Sequence, residues 1–374
     1  MMKKSLLHTP LCDMFGIDYP IFSAGMGGTV SPAGPELAAA VSQAGGLGVI
    51  GAAFVPPEEL RKQVLQVREM TDKPFGVDTL IPFSVTKGNL DNPIKLDAKL
   101  PAEHEAFLQE FGDNYDLGDL PQTEIPIFDP VFIREQLEAV LDMQVPVYVA
   151  GIGDPGFLIE RAKELNLDMK VGVVVGAVRH AEKSLANGVD FIVAQGNDGG
   201  GHNSVVGTMA LIPQVVDEVA GQIPVLGAGS IMDGRQMVTA LALGAQGVWC
   251  GSAFLATDEA RLTRGQKQML IQTKETGTAL TAGYSGKRAR VISGIYLDAL
   301  EESALPVLPM HQQLTMTDRI FQAADAQGRV DVNPGVAGQG VGMIKTIRPA
   351  ADVLHSIAAQ ATGILERGIL ESIQ

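Results

Sequence analysis

Cysteine, aromatic residues and positive charge are all scarce in this chain. Its 374 residues include only two cysteines, Cys12 and Cys250, so a disulfide framework is excluded and a reducing, cytoplasmic environment is expected. Aromatic residues make up 5%, whereas glycine contributes 43 residues, a balance that favours many tight turns over a sandwich or a coiled coil. The formal net charge of −15 argues against nucleic acid or an anionic membrane as a partner.

Long apolar runs are also lacking, apart from one segment. Residues 1–10 do not contain the apolar core of a secretory signal peptide. Residues 236–257 carry no Asp, Glu, Lys or Arg and are long enough to cross a bilayer. Polar side chains, Gly244 and Gly247 interrupt this segment, which favours a buried helix ending at residue 243 and a short strand at 247–250. We therefore expect no membrane partner.

Short apolar segments alternate with amphipathic ones along the chain. Eight segments have the composition of buried strands, at residues 20–24, 48–52, 75–81, 145–150, 171–175, 191–195, 224–227 and 247–250. Helices are predicted between them at 33–43, 57–70, 157–165, 180–186, 212–219 and 234–243. Nearly continuous apolar strands with short turns are typical of a parallel sheet covered on both faces. The pattern predicts an α/β fold, a (β/α)₈ TIM barrel with its active site at the carboxyl ends of the strands.

Two stretches break the alternation and define the predicted domains. Residues 1–81 and 145–256 form the predicted barrel, which would contain the cofactor and the catalytic site. Residues 82–144 are too long for one connection, so we expect an insertion or lid between strands three and four. Residues 257–374 are expected to pack on the barrel as a mostly helical extension, with helices at 261–276 and 350–371.

The segment 195–202 carries the strongest indication of a functional site. It reads Gln-Gly-Asn-Asp-Gly-Gly-Gly-His directly after a predicted strand, and its four glycines would let the backbone approach a ligand closely. His202 ends the segment with a side chain suited to proton transfer near neutral pH. The alternative interpretation is a glycine-rich turn capped by a histidine.

Further glycine motifs follow other strands. Two G-x-G-x-x-G matches, at 46–51 and 151–156, do not predict a dinucleotide fold. The first lies within a strand, and the second lacks an acidic residue at the end of the next strand. A phosphate site is better predicted at 227–230 and 251–252, after strands seven and eight, because backbone N–H groups and a helix N-terminus bind phosphate there in barrels. Ordinary barrel turns are the alternative.

Taken in order, these motifs resemble the nitronate monooxygenase (2-nitropropane dioxygenase-like) family of FMN-dependent TIM-barrel oxidoreductases. The resemblance covers most of residues 10–300. It rests on segments 20–27, 44–48, 75–78, 195–202, 227–235 and 251–255, with later matches at 285–290 and 337–339. It implies an enzyme that uses FMN and O₂ to oxidise alkyl nitronates to carbonyl compounds and nitrite.

The resemblance also implies roles for individual residues. His202 would be the catalytic base or hydrogen-bond donor at the substrate. Loops after several strands would bind the cofactor, through Gly25, Met26, Asp78, Gln195, Gly200, Gly229, Trp249, Cys250, Gly251 and Ser252. The last four of these, with Gly229, would hold the FMN phosphate.

Three residues depart from the family pattern. Asp78 stands where the family usually has Asn, and a carboxyl group donates a hydrogen bond to a flavin carbonyl only when it is protonated. A raised pKa of Asp78, a different way of holding the flavin edge, or other chemistry in that loop would each account for the change. Asp198 in place of Glu and Gly199 in place of Ala are milder differences.

Other functions remain open, because fold alone does not choose among them. Some relatives are NAD(P)H-dependent flavin reductases acting on a quinone or an enoyl thioester, and Lys287, Arg288 and Arg290 would offer anion contacts to an acyl-CoA-type substrate. A solvated basic surface is the simpler interpretation of those three residues. A flavin-binding barrel without turnover is the non-enzymatic alternative. The expected partners are a small-molecule substrate and O₂, no metal site is predicted, and a homodimer is compatible with the sequence.

Overall fold

A computed structural model describes residues 5–28, 31–82, 99–123, 125–368 and 371. Residues 83–98 and 124 of the predicted insertion, the first four residues, and positions 369–370 of the predicted last helix lie outside this description.

Eight parallel strands form the central sheet, and each coincides with a predicted strand. They are β1 (Ile21–Ser23), β2 (Gly48–Gly51), β3 (Phe75–Leu80), β4 (Val147–Ile152), β5 (Lys170–Val175), β6 (Phe191–Gln195), β8 (Val225–Ala228) and β9 (Gly247–Cys250). Their order is β1–β9–β8–β6–β5–β4–β3–β2. The backbone N–H of Ser23 donates to the carbonyl of Leu47 at 3.0 Å, which joins the two edges. The predicted TIM barrel is confirmed.

Alternation along the strands divides the core into two parts. One face of the strands fills the barrel with large side chains such as Phe22, Phe191 and Trp249, and the other packs against the helices. Helix α1 (Pro10–Phe15) closes the amino-terminal end, where the Phe15 ring lies 5.1 Å from Phe22 and 5.2 Å from Phe191, edge to face. The barrel is therefore accessible from the carboxyl ends of its strands.

Eight helices cover the outside of the barrel. They are α2 (Pro35–Gln43), α3 (Pro57–Met70), α5 (Pro130–Asp142), α6 (Gly156–Glu164), α7 (Val178–Ala186), α8 (Thr208–Val219), α9 (Gly234–Ala242) and α14 (Ala350–Arg367). Helix α5 comes from the predicted insertion and packs between α3 and α6. Helix α14 comes from the predicted extension and packs on α2 and α9. Both long interruptions thus return a helix to the barrel.

The uncharged segment 236–257 folds as predicted, into the end of α9 and strand β9, followed by the short helix α10 (Ser252–Leu255). Strand β9 is buried between β1 and β8. Within the part of the chain that the structure describes, no helix has both the length and the apolar character needed to cross a membrane.

A second layer covers the barrel mouth, and the small sheet within it was not predicted from the sequence. A small antiparallel sheet is formed by β7 (Gly201–His202), β10 (Thr278–Thr281) and β11 (Ala289–Ile292). Beside it, three helices pack on one apolar cluster: α4 (Ala102–Asn114), α12 (Ile295–Glu302) and α13 (Met310–Ala326). The predicted helix at 261–276 is shorter, α11 (Arg264–Gln272), because a capping box of Thr263 and Gln266 starts it.

The predicted basic surface separates into two environments. Lys287 and Arg288 are exposed. Arg290, in β11, is only 5% exposed and donates to the carbonyl of Asn197 at 3.0 Å and to Thr278 Oγ1 at 3.1 Å. Arg290 therefore ties the small sheet to the loop that follows β6.

Candidate active site

A deep cavity opens at the carboxyl ends of the barrel strands. Its wall contains all but one of the residues predicted from the sequence: Gly25, Met26, Asp78, Gln195, Gly200, His202, Gly229, Trp249, Gly251 and Ser252. They lie at the carboxyl ends of β1, β3, β6, β8 and β9 or in the segments that follow these strands, so the barrel geometry brings distant parts of the chain to one site.

Cys250 is the exception, and the alternation of β9 explains why. Trp249 faces the barrel interior, so the next side chain points to the helical layer, where it is buried with Ile21 and Val248. Burial raises the pKa of the Cys250 thiol to about 12. Its thiol lies away from the cavity, while its carbonyl accepts the N–H of Ala24 at 2.9 Å.

His202 is fixed by contacts on both sides of its short strand. The backbone of β7 pairs with that of β11, and Ala289 lies directly opposite His202. The backbone carbonyl of His202 accepts a hydrogen bond from Gln195 Nε2 at 3.0 Å. The ring Nε2 lies 2.8 Å from the hydroxyl of buried Ser285. The end of the glycine-rich loop is therefore part of a sheet.

The Ser285 hydroxyl contacts two groups, His202 Nε2 at 2.8 Å and the backbone carbonyl of Lys287 at 3.1 Å. A carbonyl only accepts, so we assign the single hydroxyl hydrogen to the contact with Lys287. In that assignment Nε2 of His202 carries the hydrogen that Ser285 accepts, and the lone pair is on Nδ1. Burial, with the nearby Lys287 ammonium, lowers the pKa of His202 to about 4. A neutral imidazole with an available lone pair, which can accept a proton, therefore forms part of the cavity wall.

The glycines of the loop are required by protein packing as well as by the cavity. A Cβ at Gly200 would lie 2.6 Å from the carbonyl carbon of Ala337, and one at Gly196 would collide with Thr208. The loop thus passes between α8 and the segment around residue 337. That segment lines the cavity with Asn333, Pro334, Gly335 and Val336, which the sequence did not single out by their own pattern.

The predicted phosphate region consists of the loops after β8 and β9. Gly229 has a φ of +111°, a conformation that favours glycine. Ser230 Oγ donates to the carbonyl of Asp198 at 2.6 Å, and Ser252 Oγ accepts the N–H of Gly338 at 2.8 Å. The N-terminus of α9 is already capped by its own Asp233. Any phosphate here would therefore be held by the loops themselves.

Asp78 lies at the floor of the cavity in an unusual environment for a carboxyl group. It is 6% exposed, and its Oδ1 accepts the N–H of Gly151 at 3.1 Å. Burial raises the pKa of Asp78 well above its ordinary value, and that single hydrogen bond offsets only part of the effect. Gly25 lies against it so closely that a Cβ at position 25 would collide with the Asp78 side chain. Of the three explanations for the departure from Asn, the structure supports a raised pKa.

One side of the cavity is apolar and was not predicted. It combines residues from the β2–α3 loop, the end of β3, the short 3₁₀ helix Pro126–Phe128 and helix α13: Phe54, Leu80, Ile127, Met310 and Leu314. Because these segments are distant in sequence and carry no shared motif, only the folded chain reveals that they form one wall.

Comparison with known proteins agrees with this geometry. The profile of the nitronate monooxygenase family matches residues 8–360. A probable nitronate monooxygenase of Staphylococcus aureus (strain JH9) is 32% identical over 374 residues, which cover 95% of this chain and 98% of that protein. The structure of nitroalkane oxidase from Streptomyces ansochromogenes has a TM-score of 0.77 and 29% identity, covering 95% of this chain and 99% of its own. FabK from Thermotoga maritima has a TM-score of 0.72 and 27% identity, covering 96% and 98%.

The barrel and its glycine-rich, histidine-containing cavity define an oxidoreductase of the flavin-dependent type. Both the family profile and the sequence relatives agree on a narrower assignment. The chain belongs to the nitronate monooxygenase family. The predicted family and enzyme class are confirmed, and the non-enzymatic alternative is set aside.

Proposed function

We propose that this enzyme is an FMN-dependent nitronate monooxygenase that oxidises alkyl nitronates with O₂ to carbonyl compounds and nitrite. The observation that carries the proposal is the cavity itself, in which the loops that correspond to the family's flavin-binding loops surround a buried His202 held by Ser285. In the balanced reaction, two nitronate ions and one O₂ give two carbonyl compounds and two nitrite ions.

The described residues fit FMN. Gly25, Gly200 and Gly229 bring backbone to the cavity without side chains, and the loops at 229–230 and 251–252 would hold a single phosphate. Asp78, whose burial favours its protonated form, would donate a hydrogen bond to a flavin carbonyl as the family's Asn does. A bound flavin supplies electron transfer between the substrate and O₂.

His202 would act on the substrate carbon. Its Nδ1 accepts the proton from the carbon that bears the nitro group, which converts a neutral nitroalkane to the nitronate within the site. Its Nε2–H stays on Ser285 Oγ and keeps the ring oriented. Because the pKa of His202 is about 4, the base form is present at neutral pH without any other proton acceptor.

Anaerobic stopped-flow absorbance tests the function. The protein with bound flavin is mixed with 1-nitropropane, its preformed nitronate, NADH or NADPH, and bleaching is followed. We expect rapid bleaching by the nitro compounds and slow or no bleaching by the nicotinamides. The described residues that line the cavity include no Lys or Arg to hold a nicotinamide diphosphate. Rapid bleaching by NADPH alone would instead identify an NAD(P)H-dependent reductase of a quinone or enoyl thioester.

The same measurement tests His202. We expect His202→Ala to retain flavin and to reduce the bleaching rate with neutral 1-nitropropane by about 10²–10⁴-fold, the usual contribution of a general base. The preformed nitronate, which needs no deprotonation, should lose much less. Because the pKa of His202 is about 4, the wild-type rate constant should show no titration of His202 as the pH rises above that value. His355→Ala, at an exposed position on α14, is the control. An unchanged rate in His202→Ala would make the residue structural.

A further inference from the structure

We propose that Asn333 selects substrates that carry a hydrogen-bond donor, a hydroxyl or an ammonium group, at the end opposite the nitro group. Its amide oxygen accepts that hydrogen bond inside the active-site cavity. Asn333 belongs to a polar corner, a name used below for Tyr284 and Asn333 in the cavity wall together with Asp318 and Asp325 of α13. The inference rests on the proposed function and adds the class of substrate.

The side chain of Asn333 is oriented by Asp325. Asn333 is 6% exposed and lines the cavity. Its Nδ2 donates to both carboxylate oxygens of Asp325, at 3.0 and 3.1 Å, and this contact defines the nitrogen end of the amide because a carboxylate accepts hydrogen bonds. No described residue donates to Oδ1, and this atom is not among the fully buried atoms that lack a partner. The accessible end of the amide is therefore an oxygen, which can accept a hydrogen bond from a ligand in the cavity.

The charges of the polar corner favour a ligand group that donates. Burial raises the pKa of Asp325, the Asn333 amide lowers it, and the carboxylate of buried Asp318 raises it again. Burial and the same two carboxylates raise the pKa of Tyr284 to about 12, so its phenol keeps its hydrogen. The guanidinium of Arg329, on the turn after α13, makes its hydrogen bonds with other residues. The described charges that act on the corner are negative, and such an environment stabilises the positive hydrogen of a hydroxyl or an ammonium group.

The polar corner adjoins the catalytic histidine on two sides. Tyr284 directly precedes the serine whose hydroxyl lies 2.8 Å from His202 Nε2. On the other side, Val336 lies beside Gly201, where a Cβ would be 3.8 Å from its Cγ1. Three residues span at most about 10 Å, so the Cα of Asn333 lies within that distance of the Cα of Val336. A substrate whose nitro-bearing carbon is near His202 can therefore place a donor at Asn333 through a chain of a few atoms.

Pairs of nitro compounds that differ only in a terminal methyl or hydroxyl group test the proposal. They are 1-nitropropane with 2-nitroethanol, 1-nitrobutane with 3-nitro-1-propanol, and 1-nitropentane with 4-nitro-1-butanol. The measured quantity is the second-order rate constant for anaerobic flavin reduction, divided by the rate constant for deprotonation by hydroxide in solution, which removes differences in intrinsic acidity. We expect the alcohol to exceed the alkane by about two- to tenfold at one length or more, the range for one net hydrogen bond. Alcohols no better than their alkanes at every length would overturn the inference while leaving the proposed function intact.

The compound 3-nitropropan-1-amine separates the two kinds of donor, because it has the chain of 3-nitro-1-propanol with an ammonium group at its end. A rate constant above that of the alcohol would identify a cationic substrate, since charged donors form stronger hydrogen bonds. A rate constant between those of the alcohol and 1-nitrobutane would identify a hydroxyl.

Two variants assign the hydrogen bond to Asn333. Asn333→Leu removes the acceptor at similar size, so the advantage of the alcohol should disappear while the rate constant for 1-nitrobutane changes less than about twofold. Asp325→Asn removes the carboxylate that orients the amide and should reduce the advantage in part, even if Asn333→Leu does not fold. Asn114→Leu, at the exposed end of α4, is the matched control and should leave the advantage unchanged. An advantage that survives both substitutions at the polar corner would overturn the assignment.

Binding separates this inference from the proposed function. Dissociation constants of the same pairs for His202→Ala holoenzyme are measured by the change in flavin absorbance, without turnover. Tighter binding of the alcohol that is lost in a His202→Ala, Asn333→Leu double variant would support the inference even if no nitro compound reduced the flavin of the wild type. That latter result would overturn only the proposed function, and equal binding of alcohol and alkane would overturn the inference.

Discussion

At the scale of single residues, Asp78 shows how burial changes what a side chain does. From the sequence, Asp78 was recognised only as a carboxyl group at a position where the family usually has Asn. The structure places it between Gly25 and Gly151, with one N–H donor and no Lys or Arg among the described residues of the cavity wall. Burial raises the pKa of this carboxyl group, and only the protonated form can donate a hydrogen bond as an amide does.

The substitution Asp78→Asn should change the pH dependence of the free energy of unfolding in a definite direction. In the wild type the folded-state pKa of Asp78 is raised. The contribution of Asp78 to the free energy of unfolding is therefore complete below the pKa that it has in the unfolded chain, and is lost as pH rises through the pKa that it has in the folded protein. The amide that the substitution introduces does not titrate. The variant should therefore gain stability relative to wild type as pH rises above about 4, by at most about 1.4 kcal/mol per pH unit.

Urea unfolding of the apo proteins between about pH 4 and 8 measures this difference. Asp168→Asn, whose side chain is 95% exposed, is the control and should run parallel to wild type. Asp78→Asn should also bind FMN as well as wild type at low pH. Parallel stability curves for Asp78→Asn and wild type would mean that Asp78 is ionised in the folded protein.

At the scale of elements, the loops after β8 and β9 look alike in sequence but tolerate different substitutions. Gly229 has a left-handed φ, and a Cβ there would collide with Thr208 Oγ1, so any substitution would disturb the fold itself. Gly251 has a φ of −94°, and a Cβ would meet only Ala24 and Met26, at 3.5 and 3.6 Å. Gly251 is therefore the position at which the cofactor can be tested without straining the backbone.

Gly251→Asp should place a carboxylate beside the FMN phosphate and weaken FMN binding roughly tenfold or more, because two anions repel at short range. Gly251→Asn has the same shape without the charge and should bind FMN much more tightly than the Asp variant. Titration of apoprotein with FMN measures the affinity, and chromatography of cofactor released from the wild type should show FMN. Release of FAD, or equal affinities for the two variants, would contradict the placement of the phosphate.

At the scale of the whole molecule, two distant chain segments combine into one cover over the barrel. Arg319 on α13 is one of the polar links between them. Its Nη1 donates to both carboxylate oxygens of Glu105 on α4, at 2.8 and 2.9 Å, and its Nε donates to the carbonyl of Pro121 at 3.1 Å. Its side chain is 9% exposed, whereas that of Glu105 is 47% exposed. Helix α13 also supplies Met310 and Leu314 to the apolar side of the cavity.

Arg319→Met should lower the free energy of unfolding by about 1–3 kcal/mol, because three hydrogen bonds of a mostly buried guanidinium are lost while Glu105 can still be hydrated. Arg61→Met removes a more exposed arginine that pairs with Glu58 and Asp142, and should cost no more than about 1 kcal/mol. Chemical denaturation of the two variants measures both free energies of unfolding. Equal behaviour of the two variants would show that the link is unimportant.

The sequence by itself determined the barrel and much of its site. Buried strands carry apolar runs that local composition reveals, and in a closed parallel barrel every strand ends at the same mouth, so residues that follow strands must meet. His202, Asp78 and the glycine loops could be found for that reason. Alternation along a strand also predicts that Trp249 and Cys250 point to opposite faces of β9. Which of the two points into the barrel becomes clear only once the register of β9 is known.

The tertiary structure decided what depends on contacts between distant segments. Strand β7 has two residues and exists because β11, some 90 positions later, pairs with it. The lowered pKa of His202 depends on its burial and on the nearby Lys287, and the raised pKa of Asp78 depends on its burial. The apolar side of the cavity joins β3, a 3₁₀ turn and α13 without a common motif. Desolvation and packing are properties of the assembled chain, and no local pattern encodes them.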